Sequence, residues 1–443
     1  MNISRNIRLF LQLFLILHVL CLPHLYAREQ DDTVYDVVFN KLTSVESKKL
    51  EALKYISKKK PVQLIPRIAQ AILKADDIEE RDIYVKALKI YHKNNTILYW
   101  IDILSETGSF PFKIEVIKYL GTLGDRRIVL PVARQLESRF SAVRHEAGMV
   151  LRRNGDDRIY PFILRMSGSR NPVKRIYALE AMQILYDMRF YTVITELVED
   201  PVKSVRIYAL KCIEKNQLKK AMYLVKKAGL NDSDREVRIA AIRVIGTLKD
   251  HGASFVLTRS LTDRDRDIRL AAARSLYRIR LGGTAFALSS QLLVEEDREI
   301  KYILLETMLK INRTGNVAAL KKILSKEENF RLRILTAHVL GKITNERNLD
   351  LLLKFKNDTD YRVRAEIAGS LGSYRSVKSQ KGLFKLIHGD KIRYVRSAAL
   401  FSLLGINDRS SIVPLFDQFS TEKDFIFREQ LRQILRTMIK RRV

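Results

Sequence analysis

The 443-residue sequence has few of the residues that interrupt regular structure or cross-link a chain: 18 glycines, 9 prolines and 2 cysteines. So little glycine and proline excludes collagen-like and low-complexity chains, and an apolar fraction of 47% excludes a disordered one. Acidic residues are also scarce: 50 stand against 80 basic residues, which gives a net charge of +30. Such a charge predicts attraction to polyanions, namely nucleic acid, anionic lipid, envelope polymers or acidic proteins.

The sequence also lacks the motifs of the common enzyme classes. It contains no phosphate-binding loop of the Walker type, no dinucleotide glycine fingerprint and no nucleophile elbow, and its histidines lack the spacing of metal ligands. We therefore expect a non-enzymatic protein without a cofactor or a metal centre.

The first 27 residues have the features of a secretory signal peptide. Arg5 and Arg8 precede the largely apolar run Leu9 to Leu22, and Ala27 supplies the small residue of a cleavage site. The run is shorter than the roughly 20 apolar residues of a membrane span. Because Leu25 is bulky for its place in that site, an uncleaved segment that anchors the chain to a membrane is the alternative.

Cleavage would leave Cys212 as the only cysteine, so no intramolecular disulfide can form. An exported chain with a large apolar content and no disulfide favours the periplasm or cell surface of a bacterium. There the protein would not meet genomic DNA, so we expect no nucleic-acid partner.

A basic residue recurs every 31 or 32 residues from position 113 onward, and we call these residues the anchors. They are Lys113, Arg144, Arg175, Arg206, Arg238, Arg269, Lys301, Arg333, Arg364, Arg396 and Arg428. An apolar residue precedes ten of the eleven, alanine often follows at +3, and the residue at +7 is always apolar. These offsets share one face of a helix, and the small residue lets a neighbouring helix approach closely.

Between successive repeat units there is room for a second apolar helix, with proline near its start at Pro66, Pro131, Pro161 and Pro414. The sequence therefore predicts an all-α fold, an α-solenoid (superhelix) of about 12–13 helical hairpins. We expect residues 28–112 to form divergent capping repeats, continuous with regular repeats over 113–443, because a terminal repeat must cover the core with a more polar face.

This pattern resembles the HEAT-repeat family, in its short form of the phycobilisome-lyase type. The segment from Asp234 to Gly246 carries the resemblance well, and it extends over nearly all of residues 40–443. The resemblance implies HEAT-like hairpins whose second helices line a concave surface that binds proteins.

The anchors have a structural interpretation. An acid stands six residues before each of the last eight anchors, from Asp200 to Glu422. Acids and bases repeated in register are expected to alternate along the stack, with each arginine bridging carboxylates or loop carbonyls of adjacent repeats. The resemblance implies the same ladder.

Partner-binding candidates lie at offsets +2, +5 and +9, opposite the apolar stripe. The cations there form what we call the basic track: Lys211, Arg243, Arg274, Arg278, Lys310 and Lys342, with Tyr177 and Tyr208 as aromatic neighbours. The other interpretation of the track is a solvated face on a protein that is basic everywhere.

A second candidate is the C-terminal basic face, which we define as Arg428, Arg432, Arg436 and Lys440, spaced four apart on one side of a helix. Its cations also suit the helix dipole, which is the simpler explanation. The predicted function is an exported scaffold or adaptor that binds an acidic protein partner along its concave face. The alternative is an adaptor for an anionic envelope polymer or membrane surface.

Overall fold

The computed structural model describes residues 34–440, and these residues form 26 α-helices with short 3₁₀ turns and no β-strand. The predicted signal peptide lies outside the described residues. The chain divides into two compact units, one ending at Phe190 and the other beginning at Tyr191. The predicted division at residue 112 stays a prediction.

The first unit contains ten helices, each odd-numbered helix being the first of a hairpin. They are α1 (34–42), α2 (Glu46–Lys59), α3 (Leu64–Lys74), α4 (Ile78–Lys89), α5 (Lys93–Glu106), α6 (Phe110–Leu123), α7 (Val129–Arg134), α8 (Ser141–Asn154), α9 (Ile159–Ser167) and α10 (Pro172–Leu185).

The second unit contains sixteen helices with the same alternation. They are α11 (Tyr191–Glu196), α12 (Lys203–Lys215), α13 (Met222–Asn231), α14 (Arg235–Leu248), α15 (Ser254–Ser260), α16 (Arg266–Ile279), α17 (Ala285–Val294), α18 (Arg298–Ile311), α19 (Val317–Lys326), α20 (Phe330–Lys342), α21 (Glu346–Phe355), α22 (Tyr361–Leu371), α23 (Val377–Gly389), α24 (Arg393–Ile406), α25 (Ile412–Thr421) and α26 (Phe425–Lys440).

Every anchor lies in the first turns of an even-numbered helix, from α6 to α26. Within the second unit each even helix packs on the odd helix of its own hairpin and on the even helices of the adjacent hairpins. Several adjacent odd helices likewise contact one another, among them α13 with α15 and α17 with α19, so this part of the unit has two helix layers. The predicted all-α array of about thirteen helical hairpins is confirmed.

The predicted apolar stripe forms the core between the layers. In α14 the three stripe residues Val237, Ala241 and Ile245 are fully buried, and Ile268, Ala272 and Leu276 repeat the arrangement in α16. This burial supplies the hydrophobic free energy that holds adjacent hairpins together.

The odd helices differ from the prediction in length. Helices α7, α11 and α15 contain only six or seven residues, because 3₁₀ turns take up the adjoining chain. Each predicted proline is the third residue of its helix, as Pro131 is in α7. The first four backbone N–H groups of a helix have no partner within it, so a proline there removes no helical hydrogen bond.

Small residues let adjacent even helices approach closely. A β-carbon added at Gly246 in α14 would lie 2.9 Å from the Ser275 Cα in α16, and one at Gly341 would lie 2.8 Å from the Ser370 Cα. The Ser275 hydroxyl donates a hydrogen bond across this contact to the Ile242 carbonyl at 2.9 Å. The backbones of neighbouring hairpins are thereby locked in register.

We predict that Gly246→Ala destabilises the protein by about 1–3 kcal/mol, since the added methyl overpacks the contact with Ser275. Gly369→Ala in α22 is the matched control, because nothing lies within 4 Å of the position of its added β-carbon. That variant should gain up to about 1 kcal/mol from helix propensity. Thermal and urea denaturation would show whether the two variants change the free energy of unfolding in opposite directions. Equal changes in both would contradict the interpretation that the helices approach closely at Gly246.

Candidate functional site

The anchors of the second unit form a ladder of cations and carboxylates between hairpins. Arg333 donates from Nη1 to the Glu327 carbonyl of its own loop at 2.7 Å. Its Nε and Nη2 donate to both carboxylate oxygens of Asp358 in the next hairpin, each at 2.9 Å. One guanidinium therefore holds its own loop and the next one, and its planar fork matches the carboxylate.

Each acid serves both loops in turn. The Asp358 carboxylate accepts from Arg333 and also from the backbone N–H of Asp360, while its carbonyl accepts from the next anchor, Arg364. The same side chain orders its own turn and joins two hairpins. Both groups are nearly buried, with 10% of the Arg333 side chain and 5% of the Asp358 side chain exposed.

The predicted ladder of acids and bases is confirmed for most anchors. The cation–carboxylate pairs in the second unit are Arg206–Asp232, Arg269–Glu295, Lys301–Glu327, Arg333–Asp358, Arg364–Asp390 and Arg396–Asp424. In the first unit, Arg144 binds Glu180 at 2.7 Å. Among residues 34–440, no ion pair forms at the anchors Lys113, Arg238 and Arg428.

The ladder shifts the pKa of its acids. Burial alone would raise the pKa of Asp390, but hydrogen bonds from Arg364 and from the backbone N–H of Ile392 outweigh it, so the pKa is lowered. Glu295 has the same balance: burial opposes ionisation, and hydrogen bonds from Arg269 and Gln291 lower its pKa. The acids are therefore held as carboxylates.

The structure brings most of the basic track together on one surface. Arg243 lies on α14, Arg274 and Arg278 on α16, Lys310 on α18 and Lys342 on α20, and these helices pack side by side. All five side chains are exposed, as is Lys211 on α12. The predicted solvent-facing position of these cations on the even helices is confirmed.

Members of the basic track differ in their partners. Arg274 already donates to Glu299 at 2.6 Å, and the Lys310 ammonium lies 4.2 Å from the centre of the Tyr277 ring. Arg243, Arg278 and Lys342 form no ion pair with any described residue. These three cations are therefore the ones that can bind an external anion without first breaking an internal pair.

The two candidate tyrosines are half-buried. In the first unit the Tyr177 ring lies 3.9 Å from the Arg144 guanidinium and so supports a ladder residue. In the second unit the Lys211 ammonium lies 4.6 Å from the Tyr208 ring. Such cation–π contacts orient the charged side chains.

The C-terminal basic face is exposed on α26. Arg432 donates to Glu429 at 2.8 Å and lies 5.6 Å from the Phe419 ring of α25. Arg428, Arg436 and Lys440 are exposed and form no ion pair with described residues. Lys440 also lies in the last described turn of the helix, where a cation suits the dipole.

A second row of ion pairs at the helix starts was missed from the sequence. Arg266 binds Asp297 at 2.7 Å and Glu299 at 3.0 Å, and Lys203 and Arg235 make similar pairs with the next hairpin. The available signal was a basic residue three before the anchors Arg206, Arg238 and Arg269. These pairs neutralise exposed charge at the helix starts, and one of their acids, Glu299, also binds Arg274 of the basic track.

Two features of enzyme and membrane chemistry are absent from the described part of the chain. No group of three or more histidine, cysteine, aspartate or glutamate side chains there has the arrangement of a metal site. No helix between residues 34 and 440 has the length and apolar character to cross a bilayer. Cys212 is buried, and burial raises the pKa of its thiol to about 12, which leaves it unreactive at neutral pH.

The stacked hairpins and their ladder define an α-solenoid. A family profile described as HEAT repeats matches the chain three times, at residues 192–277, 224–306 and 285–367. Residues 192–367 of the chain are therefore similar to the HEAT-repeat family. No curated protein matches the sequence.

Solved structures with a similar fold include that of the karyopherin Kap121p. Its TM-score is 0.55 at 13% identity, over 84% of this chain and 48% of Kap121p. Kap121p bound to RanGTP gives 0.54 at 13% identity over 85% and 48%, and Kap121p bound to Nup53p gives 0.51 at 11% over 93% and 53%. The chain spans about half the length of these proteins, and at this identity the likeness concerns the fold alone.

We predict that Asp390→Asn lowers the melting temperature most at neutral pH. The folded-state pKa of Asp390 is lowered, so its ionised form stabilises the fold above the unfolded value of about 3.9. That contribution disappears as the pH falls below about 4 toward the folded-state pKa. The gap between the wild type and the variant should therefore shrink in acid, as thermal denaturation between neutral pH and about pH 3 would measure.

The control for this experiment is Asp417→Asn on α25, an exposed aspartate whose carboxylate forms no ion pair with described residues. It should change the melting temperature little at any pH. A gap for Asp390→Asn that is constant across the pH range would count against the ladder as the source of the stability.

We also predict that Arg333→Lys costs about 1–2 kcal/mol of stability, since one ammonium cannot reach both the Glu327 carbonyl and the two oxygens of Asp358. The exposed Arg331, two residues earlier on the same helix, provides the control. Arg331→Lys should stay within about 0.5 kcal/mol of wild type in urea denaturation. Similar losses in both variants would argue against the bidentate bridge.

Proposed function

We propose that the protein is an exported, non-enzymatic HEAT-repeat scaffold that binds an acidic segment of a protein partner along the basic track. The observation that carries this proposal is the contrast between two sets of cations in the second unit. Ladder cations such as Arg333 are buried and bound to carboxylates, whereas Arg243, Arg278 and Lys342 are exposed and pair with no described carboxylate.

The arrangement suits an extended acidic ligand. The three free cations stand on α14, α16 and α20, so a partner must lie across several hairpins to reach them all. Aromatic contacts hold Lys310 and Lys211 at the same surface, which reduces the entropy lost when those side chains bind. Positive charge along such a surface accelerates the association of an acidic partner and fixes its register.

The fold supports a protein as the partner. Kap121p is bound to RanGTP in one of the similar solved structures and to Nup53p in another, so a solenoid with this fold can bind other proteins. The N-terminal sequence supports export, because residues 1–27 have the pattern of a signal peptide. A bacterial periplasm or cell surface is the location that we propose.

The net charge of +30 favours a second candidate, an adaptor for an anionic envelope polymer or membrane surface. Binding of that kind depends on many weak charge contacts and falls steeply with salt. A protein partner should instead bind with a defined stoichiometry and a weaker dependence on salt. Affinity capture from an envelope extract with residues 28–443 at low and moderate salt separates the two.

We predict that the triple variant Arg243→Glu, Arg278→Glu and Lys342→Glu weakens the captured partner's binding by about tenfold or more, since each reversal replaces attraction with repulsion. Isothermal calorimetry with the purified partner would give the affinity.

The matched control reverses two arginines and one lysine on the odd helices: Arg259, Arg347 and Lys321. All three are exposed and form no ion pair with described residues. Both variants change the net charge by the same amount. If the control weakens binding as much as the track variant does, the partner responds to overall charge and the basic track is not its site.

A further inference from the structure

At one helix position, α26 carries a different type of residue from the seven even helices that precede it in the second unit. Four residues after the anchor, each of those helices carries an apolar side chain that is fully buried. These residues are Leu210, Ile242, Ala273, Leu305, Ala337, Ala368 and Leu400. In α26 the same position is Arg432, whose side chain is 45% exposed.

The anchor of α26 also differs from most of the preceding anchors, although Arg238 on α14 likewise forms no ion pair with described residues. Arg396 on α24 reaches Asp424 of the following hairpin at 3.0 Å, whereas Arg428 forms no ion pair with any described residue. An arginine at this position has the geometry to bind a carboxylate through two parallel hydrogen bonds, as Arg364 does with Asp390 at 2.6 and 3.0 Å. The Arg428 guanidinium thus has the position of a ladder donor but no carboxylate to accept its hydrogen bonds.

The residues around these arginines extend the surface. Phe425, Arg428, Arg432, Arg436 and Ile439 are spaced three or four apart, so they share one face of the helix. Phe425 is 70% exposed and Ile439 is 53% exposed. The face is therefore a row of three arginines between two apolar side chains.

From this arrangement we infer that the α26 face is a second binding site, and that its occupant is an acidic amphipathic helix of a partner protein. Carboxylates spaced four residues apart on that helix would face Arg428, Arg432 and Arg436, and apolar residues at its two ends would cover Phe425 and Ile439. An apolar hairpin of the repeat type would have to bury Arg432 together with the Glu429 carboxylate that it binds, and taking two charges out of water is unfavourable. This site is separate from the basic track and does not depend on it.

A second copy of the chain is a less suitable occupant. The chain's own acidic stretch runs from Asp76 to Asp82 and carries five acids and one arginine. Any approach of two copies, however, brings together molecules that each carry a charge of +30. An acidic partner meets no such repulsion.

The test uses the full chain and a synthetic helical peptide with three glutamates spaced four apart and a leucine at each end. Fluorescence anisotropy should detect saturable binding of this peptide and none of its glutamine counterpart. Arg432→Glu combined with Arg436→Glu should weaken peptide binding at least about tenfold. An unchanged melting temperature would confirm that this double variant folds.

The matched control is Lys54→Glu with Lys58→Glu, which reverses two exposed cations four apart on α2. It should leave the peptide affinity unchanged. The triple variant of the basic track should also leave it unchanged, so failure here and failure of the proposed function can be told apart. No peptide binding, or an equal loss in the α2 control, overturns the inference.

Two further measurements address other occupants. Vesicles that contain phosphatidylglycerol should bind the wild type and the Arg432/Arg436 variant alike. If vesicle binding instead depends on those arginines and the peptide does not bind, the occupant is a membrane surface and the inference is overturned. In analytical sedimentation, the wild type should show no self-association that depends on Arg432 and Arg436, so the Arg432/Arg436 variant should sediment as the wild type does. If a peptide of residues 74–86 binds and such self-association appears, a second copy is the occupant and the inference is wrong.

Discussion

The bridge between an arginine and the acid of the next hairpin is the constraint on which the second unit depends. A buried guanidinium needs a carboxylate, and a buried carboxylate needs donors, so neither residue can lose its charge alone without a cost of several kcal/mol. Since Asp358 also orders its own turn, the ladder couples the local loop conformation to the stacking of hairpins. The paired anchors are consequently unavailable to a ligand.

Because of these internal pairs, the net charge overstates the number of cations that can bind an external anion. The formal value of +30 suggests a uniformly cationic molecule, but the ladder and the pairs at the helix starts bind many of its cations internally. What is left for an external anion is a small set at defined places, such as Arg243 and Lys342 on the even helices. The positions of these unpaired cations, more than the total charge, determine which anionic ligands can bind.

The sequence was sufficient to predict the fold because the signal is local and occurs eleven times. The stripe residues and the anchors depend only on spacing within one helix, and the acid six residues before an anchor identified the ladder. Contacts between helices were not predictable in this way. Ser275 meets Gly246, and Glu299 captures Arg274, through an offset between neighbouring helices that three-dimensional packing sets. For the same reason, the sequence did not show which cations of the basic track form an internal ion pair, as Arg274 does, and which do not.

A repeat architecture lets one position change the use of a helix while the fold stays the same. At four residues after the anchor, an apolar side chain such as Leu400 is buried, whereas Arg432 leaves the face of α26 polar and exposed. The core of α26 is unaffected, since Phe427, Leu431 and Leu435 still form its apolar stripe. Stacking and binding are thus alternative uses of one helix face, and the charge of a single side chain selects between them.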